Sequence, residues 1–214
     1  MHVMAINGSP RKKWNTATLL EHALAGAAAK GAQTEMIHLY DLNFKGCTSC
    51  FACKLKGGKS EGRCALKDEA TPVLDRIREE TDVLILGSPI YFGAMSGEMR
   101  CFLERLLFAP FVYTQPISSL FPRRIKTGII YTMNLDEESS KNFGYESGFQ
   151  ATATYMATMF GSCETLCSYD TCQFPDYSKV VMEYLDPALK LARKEKVFPE
   201  DCRRAHALGE ALAG

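Results

Sequence analysis

Four apolar residues in a row, Val83-Leu84-Ile85-Leu86, stand between Asp82 and the turn-forming Gly87-Ser88-Pro89. A strand wet on one face alternates between apolar and polar. An unbroken apolar run suits a strand covered on both faces, and such strands belong to parallel sheets flanked by helices. The rest of the chain fits that demand, because extended and helical patterns alternate along its 214 residues, as in α/β layer folds. Residues 2–6 read as a first strand that stops at Asn7-Gly8-Ser9-Pro10. A helix then opens at Asn15-Thr16, either of which can cap it, with Leu19, Leu20, Ala23, Leu24 and Ala27 as its apolar stripe and Lys30-Gly31 as its end.

Farther on, 34–39 reads as a second strand, 42–66 as a long loop and 68–80 as a helix. After the strand at 82–88, residues 89–94 form a turn, and Ser96 caps a helix that runs to Leu107. A strand at 125–132, a helix at 146–159, a strand at 164–169, a helix at 177–196 and a short last helix at 205–212 complete the pattern. Five strands in βα order predict a doubly wound parallel sheet in the order 2-1-3-4-5, with a ligand crevice where strands 1 and 3 part company. The chain is expected to be one domain over 1–214, with a Cys-rich loop at 43–66 and a C-terminal helical extension from about 177. The apolar stretch Leu106–Tyr113 is too greasy for an exposed connection, so it predicts either core or a contact between subunits.

Charge narrows the function classes. Lys+Arg is 25 and Asp+Glu is 25, without the basic excess of a nucleic-acid reader. No stretch reaches the ~18 consecutive apolar residues of a membrane span, and Met1-His2-Val3-Met4 lacks the charged start of a signal peptide. With nine cysteines, these features predict a cytoplasmic protein without nucleic-acid or membrane partners, whose clustered thiols serve metal or redox chemistry. The four histidines form no ligand-spaced pair, and no Ser/His/Asp set stands out. Asp136-Glu137-Glu138 reads as a solvated turn.

Two loops carry the ligand signals. Gly8-Ser9-Pro10-Arg11-Lys12-Lys13-Trp14-Asn15-Thr16 runs from a strand into a helix N-terminus, where free N–H groups and the helix dipole favour an anion. Neither GxxxxGK[ST] nor GxGxxG is present, so a single terminal phosphate fits better than a triphosphate or pyrophosphate. Gly87-Ser88-Pro89-Ile90-Tyr91-Phe92-Gly93 follows the most buried strand and sets two aromatics in a turn, where polar residues are usual. Either a flat ligand or a neighbouring loop or subunit covers them. A cofactor-free regulatory or scaffold domain is the remaining alternative.

These two loops, with the cysteine loop ending Lys67-Asp68-Glu69 between them, resemble the NADPH-dependent FMN reductase and iron–sulfur flavoprotein family, which has a flavodoxin-like fold. The resemblance covers about residues 1–135. It implies an FMN-dependent oxidoreductase that takes electrons from NAD(P)H or a reduced carrier and passes them to a small-molecule or protein acceptor. It also implies a homodimer or homotetramer. By resemblance, Ser9, Arg11, Asn15 and Thr16 hold the FMN phosphate. Pro89, Ile90, Tyr91, Phe92 and Gly93 line the flavin ring. Thr132-Met133-Asn134, which carries no glycine, occupies the place of the family's third flavin loop.

Cys47-x2-Cys50-x2-Cys53-x10-Cys64 offers four thiols. They can hold a [4Fe–4S] cluster, as iron–sulfur flavoproteins do with a more compact run, or zinc or a redox disulfide, or remain free. The long last gap does not prevent closure, since doubling a loop costs only ~0.6 kcal/mol. With a cluster the protein would be an electron carrier between cluster and FMN. Cys101, Cys163, Cys167, Cys172 and Cys202 read as ordinary buried thiols.

Overall fold

The computed structural model describes residues 1–183 and 185–214. Its elements are β1 (His2–Asn7), α1 (Asn15–Ala29), β2 (Gln33–His38), α2 (Ala70–Glu79), β3 (Val83–Tyr91), β4 (Ala94–Met95), α3 (Gly97–Phe108), β5 (Phe111–Val112), β6 (Ser118–Ser119), β7 (Ile125–Thr132), α4 (Glu137–Asn142), α5 (Tyr145–Phe160), β8 (Gly161–Ser168), α6 (Pro187–Lys196) and α7 (Phe198–Ala213). The five long strands are parallel in the order β2-β1-β3-β7-β8, the expected 2-1-3-4-5, and β4 adds an antiparallel pair to the end of β3. The fold is flavodoxin-like.

Strand alternation sorts the core into two layers. Met4, Ile6, Leu84, Leu86, Ile129 and Tyr131 face α2, α3 and α5, while Val3, Ala5, Val83, Ile85 and Ile130 face α1 and α7. Each layer is fully apolar at its centre, which is why the run at 83–86 does not alternate. The second layer is unusually tight. A Cβ on Gly26 would stand 2.0 Å from the His206 carbonyl oxygen, and one on Gly209 would stand 1.8 Å from that of Ala23. Helices α1 and α7 therefore touch backbone to backbone.

Several expected boundaries shift for physical reasons. β3 continues through Pro89, Ile90 and Tyr91 into a two-residue hairpin, so the turn is only Phe92-Gly93, both at positive φ. Asp136 does not lie in a loose turn; its side chain accepts the Ser139 N–H and caps α4. The long helix expected over 177–196 is instead a short 3-10 turn at Tyr177–Lys179, an irregular stretch and then α6, because Asp186 caps and Pro187 opens a new helix. Tyr184, within the span expected as that helix, lies outside the described residues. The last helix is α7, sixteen residues starting at Phe198-Pro199, and not a short piece at 205–212. The final long strand begins at Gly161, three residues early. No helix among the described residues is long and apolar enough to cross a membrane.

Candidate functional site

The loop after β1 is shaped by short-range hydrogen bonds. Ser9 N–H donates to Asn7 Oδ1 at 2.9 Å and Arg11 N–H to Ser9 Oγ at 3.1 Å, which curl the chain toward α1. Gly8 N–H donates to the Gly87 carbonyl at 2.8 Å and ties this loop to the end of β3. Ser96 fastens the other side. Its N–H donates to Ser88 Oγ at 3.0 Å and its hydroxyl to the Gly8 carbonyl at 2.6 Å. A Cβ on Gly8 would lie 2.8 Å from Met99 Cβ, so only glycine permits this approach.

Neither Asn15 nor Thr16 caps α1, contrary to expectation. The cap position is Trp14, which makes no side-chain cap bond. Asn15 Nδ2 donates to the Cys172 carbonyl at 2.8 Å, and Thr16 Oγ1 bonds Thr132 Oγ1 at 2.7 Å. The first-turn N–H groups of α1 are thus left facing the crevice without a side-chain acceptor, an arrangement that favours an anion. Arg11 brings charge to the same place; its guanidinium lies over the Trp14 ring at 5.4 Å and donates to the Gln173 carbonyl at 2.5 Å.

Ten of the twelve residues assigned to the cofactor line one crevice: Ser9, Arg11, Asn15, Thr16, Pro89, Ile90, Tyr91, Thr132, Met133 and Asn134. Trp14, Thr171 and Gln173 join them. The crevice encloses about 80 Å³, room for a group the size of several waters. It opens onto the hairpin tip, where Tyr91 is 42% and Phe92 106% exposed. Phe92 and Gly93 do not line the crevice; Phe92 is fully exposed and Gly93 lines a second cavity beyond the hairpin. Asn134 Oδ1 is a buried acceptor without a partner, so a ligand donor there would satisfy it. Lys190 holds this segment by donating to the Asn134 carbonyl at 2.7 Å while pairing with Asp170.

The residues missed by sequence reading follow the last strand. Cys172 and Gln173 meet the first loop because all parallel strands end at one edge of the sheet. Position along the sheet was the available signal, whereas Cys172 read as a buried thiol, which it also is. Cys202 is likewise buried, but Cys101, Cys163 and Cys167 are only half-buried. Burial still pushes the Cys163 and Cys167 thiols up.

Cys47, Cys50, Cys53 and Cys64 line one small cavity against α3, with Glu104, Arg105 and Phe108 as its helical wall. Left-handed backbone at Ser49 and Phe51 turns the chain twice within the first three cysteines, which brings them to one side. The loop wraps α3 through charged contacts. Glu104 accepts the Cys47 N–H at 3.0 Å, and Lys54 caps the helix end by donating to the carbonyls of Phe108, Ala109 and Phe111. Arg105, 1% exposed, donates to Cys64 Sγ at 3.3 Å and pairs with both Asp68 oxygens at 2.8 and 2.7 Å. Burial pushes the Cys53 thiol up, opposed by the neighbouring Lys54 ammonium.

Among the described residues, no three His, Cys, Asp or Glu side chains converge on a point that would clasp a single ion. A [4Fe–4S] cluster takes its thiolates at separate corners and needs no such point. The donor set, four thiols with two cations beside them, fits a cluster in kind.

Comparison with known proteins places these features. The sequence profile described as NADPH-dependent FMN reductase matches residues 1–117. An iron–sulfur flavoprotein of Methanocaldococcus jannaschii is 33% identical over 150 residues, which cover 70% of this chain and 68% of that protein. One from Archaeoglobus fulgidus is 39% identical over 105 residues, 49% of this chain and 48% of its own length. The match thus spans about two thirds of the first relative and half of the second. Among solved structures, an NAD(P)H:quinone oxidoreductase from Methanothermobacter marburgensis superposes with a TM-score of 0.73 at 15% identity, covering 99% of this chain and 98% of that one. An azoreductase from Bacillus anthracis superposes with a TM-score of 0.67 at 15% identity, covering 99% of each chain. At such identities these two structures speak to fold alone.

Proposed function

This chain belongs to the NADPH-dependent FMN reductase family, and on that premise we propose that it is an FMN-bearing oxidoreductase, fed by NAD(P)H or a reduced carrier and discharging to a quinone- or flavin-like acceptor. The observation that carries this reading is the crevice, where the open end of α1, Arg11 and the Thr16–Thr132 pair meet the Pro89–Tyr91 edge. Bound FMN would supply hydride and single-electron chemistry, and the protein's task is positioning and tuning. Ser9, Arg11, Asn15 and Thr16, with the α1 N–H groups, would hold the phosphate. Pro89, Ile90 and Tyr91 would flank the ring, Asn134 Oδ1 would accept a hydrogen bond from a donor at its edge, and Phe92 and Gly93 would set the hairpin that shields it.

A second reading is favoured by the cysteine cavity and the relatives' names: Cys47, Cys50, Cys53 and Cys64 hold a [4Fe–4S] cluster, and the protein is an electron carrier. Protein made without oxygen and titrated with FMN tests the first reading through quenching of flavin fluorescence. Saturation near one FMN per chain is expected, and fluorescence that stays at the free-flavin level overturns it. Iron and sulfide analysis on the same sample tests the second.

A further inference from the structure

Asn7 ends β1 with its side chain buried, 0% exposed. Both ends of its amide are engaged. Oδ1 accepts the Ser9 N–H at 2.9 Å, and Nδ2 lies 2.9 Å from His38 Nδ1. A backbone N–H can only donate, so the Ser9 bond fixes which end of the amide is oxygen. The nitrogen end then donates to His38, and Nδ1 of the imidazole must present a lone pair. The network therefore assigns His38 the neutral tautomer that carries its proton on Nε2.

The sheet places this pair. Asn7 and His38 are register partners across the parallel β1–β2 pair, at its last rung, so their side chains leave the same face. The residues just after β2 hold the same loop a second time, where Asp41 pairs with Lys12 at 2.6 Å. That tie is half-exposed at both ends and is worth little. The Asn7 amide is sealed from water, so a lost partner there is not replaced by solvent.

Ser9 is the pivot. Its N–H answers to Asn7, while its Oγ accepts the Arg11 N–H at 3.1 Å. The two residues that open the anion-facing turn thus hang from one amide, whose orientation His38 holds. His38 does this without lining the crevice.

We propose that His38 is a positioning residue for the anion end of the crevice: by accepting from Asn7 it locks the amide that sets the Ser9–Arg11 turn. The proposal rests on the reading of that crevice as the seat of the FMN phosphate.

Flavin quenching on the full-length protein tests it. His38 is half-buried on an edge strand, so His38→Leu should fold, yet leucine accepts no hydrogen bond. This variant should raise the FMN dissociation constant about three- to tenfold, the worth of one net hydrogen bond. Riboflavin, which has the ring but no phosphate, should bind it as it binds the wild type. His38→Asn puts Oδ1 where the imidazole carries Nδ1 and should restore most of the FMN affinity. In an Asn7→Ala background, itself weakened for FMN, His38→Leu should cost nothing further. A histidine that merely packs against β2 gives the opposite pattern: FMN and riboflavin weaken together, asparagine restores nothing, and the cost adds to that of Asn7→Ala. Any of these three results overturns the proposal, as does unchanged FMN affinity in His38→Leu. Wild-type protein that takes up no FMN overturns the reading of the crevice, and the proposal falls with it. FMN uptake by the wild type alongside insensitive His38 variants removes the proposal alone.

Discussion

The crevice at the sheet edge and the cavity behind the cysteine loop use opposite building methods. In the crevice the contacts come from strand ends, the first turn of α1 and the short loops that follow the strands. Asn7, Gly87, Thr132 and Ser168 are placed by parallel register before any side chain is considered. In the cysteine cavity no strand takes part. The loop is held by side chains of α3, with Arg105 and Glu104 gripping it from one side and Lys54 reaching back to the helix end. The first site is a property of the fold, whereas the second is a property of a few charges.

That contrast breaks most easily at the cysteines. On the cluster reading, Cys53→Ser should leave FMN stoichiometry intact while iron content on anaerobically prepared protein falls from about four atoms per chain toward zero. If FMN is lost too, the two sites are not independent. Next in size is Arg105→Met. Removing a buried guanidinium strands the Asp68 carboxylate and the Cys64 thiol, and should cost about 3 kcal/mol in urea unfolding, toward the low end for buried pairs because Asp68 keeps some water contact. A crevice variant should barely move stability yet weaken the ligand. Arg11→Ala is expected to raise the FMN dissociation constant ten- to a hundredfold, about the value of a charge-assisted hydrogen bond, measured by flavin quenching.

Acid should sharpen the same division. Burial alone would raise the Asp68 carboxyl, but Arg105 and the Lys45 and Ala70 N–H groups outweigh it and hold it below the usual carboxylate range. Its stabilisation is therefore complete above the unfolded value, about pH 3.9, and disappears as pH falls through the lower folded value. Wild-type stability should fall more steeply than that of Arg105→Met below about pH 4, and parallel curves would contradict this. The smallest effect belongs to the hairpin. Phe92 sits at φ 50° and is fully exposed, so Phe92→Gly should relieve left-handed strain of about 1–2 kcal/mol, partly offset by glycine's unfolded-state freedom. A net gain under about 1 kcal/mol is expected in thermal unfolding.

The same division explains what could be read from the residues. Strands at 2–6, 82–88 and 125–132 announce themselves through apolar runs, and their ends lie where loops must meet, while the ten crevice residues on those loops are named through the family resemblance. Four kinds of feature escaped. Asp136 and Asp186 are caps whose neighbours lack helical periodicity, and Asp186-Pro187 was absorbed into a longer helix. The Phe92-Gly93 turn depends on a bulky residue adopting positive φ, which propensity argues against. The contribution of Cys172 and Gln173 is wholly tertiary, since 157 residues separate Asn15 from its partner. The grip of α3 on the cysteine loop was equally hidden, because Arg105 reads as one more surface charge until the helix is wrapped.

The backbone contact between α1 and α7 has a temporal consequence. Translation delivers residues 198–213 after every strand of the sheet, so the helix whose tip faces the crevice has a bare flank until they emerge. A nascent chain can lay down β1, β3 and β7 in order, yet its anion-facing tip stays loosely seated. Gly26 and Gly209 therefore bear on the crevice from a distance, by seating the helix whose tip faces it.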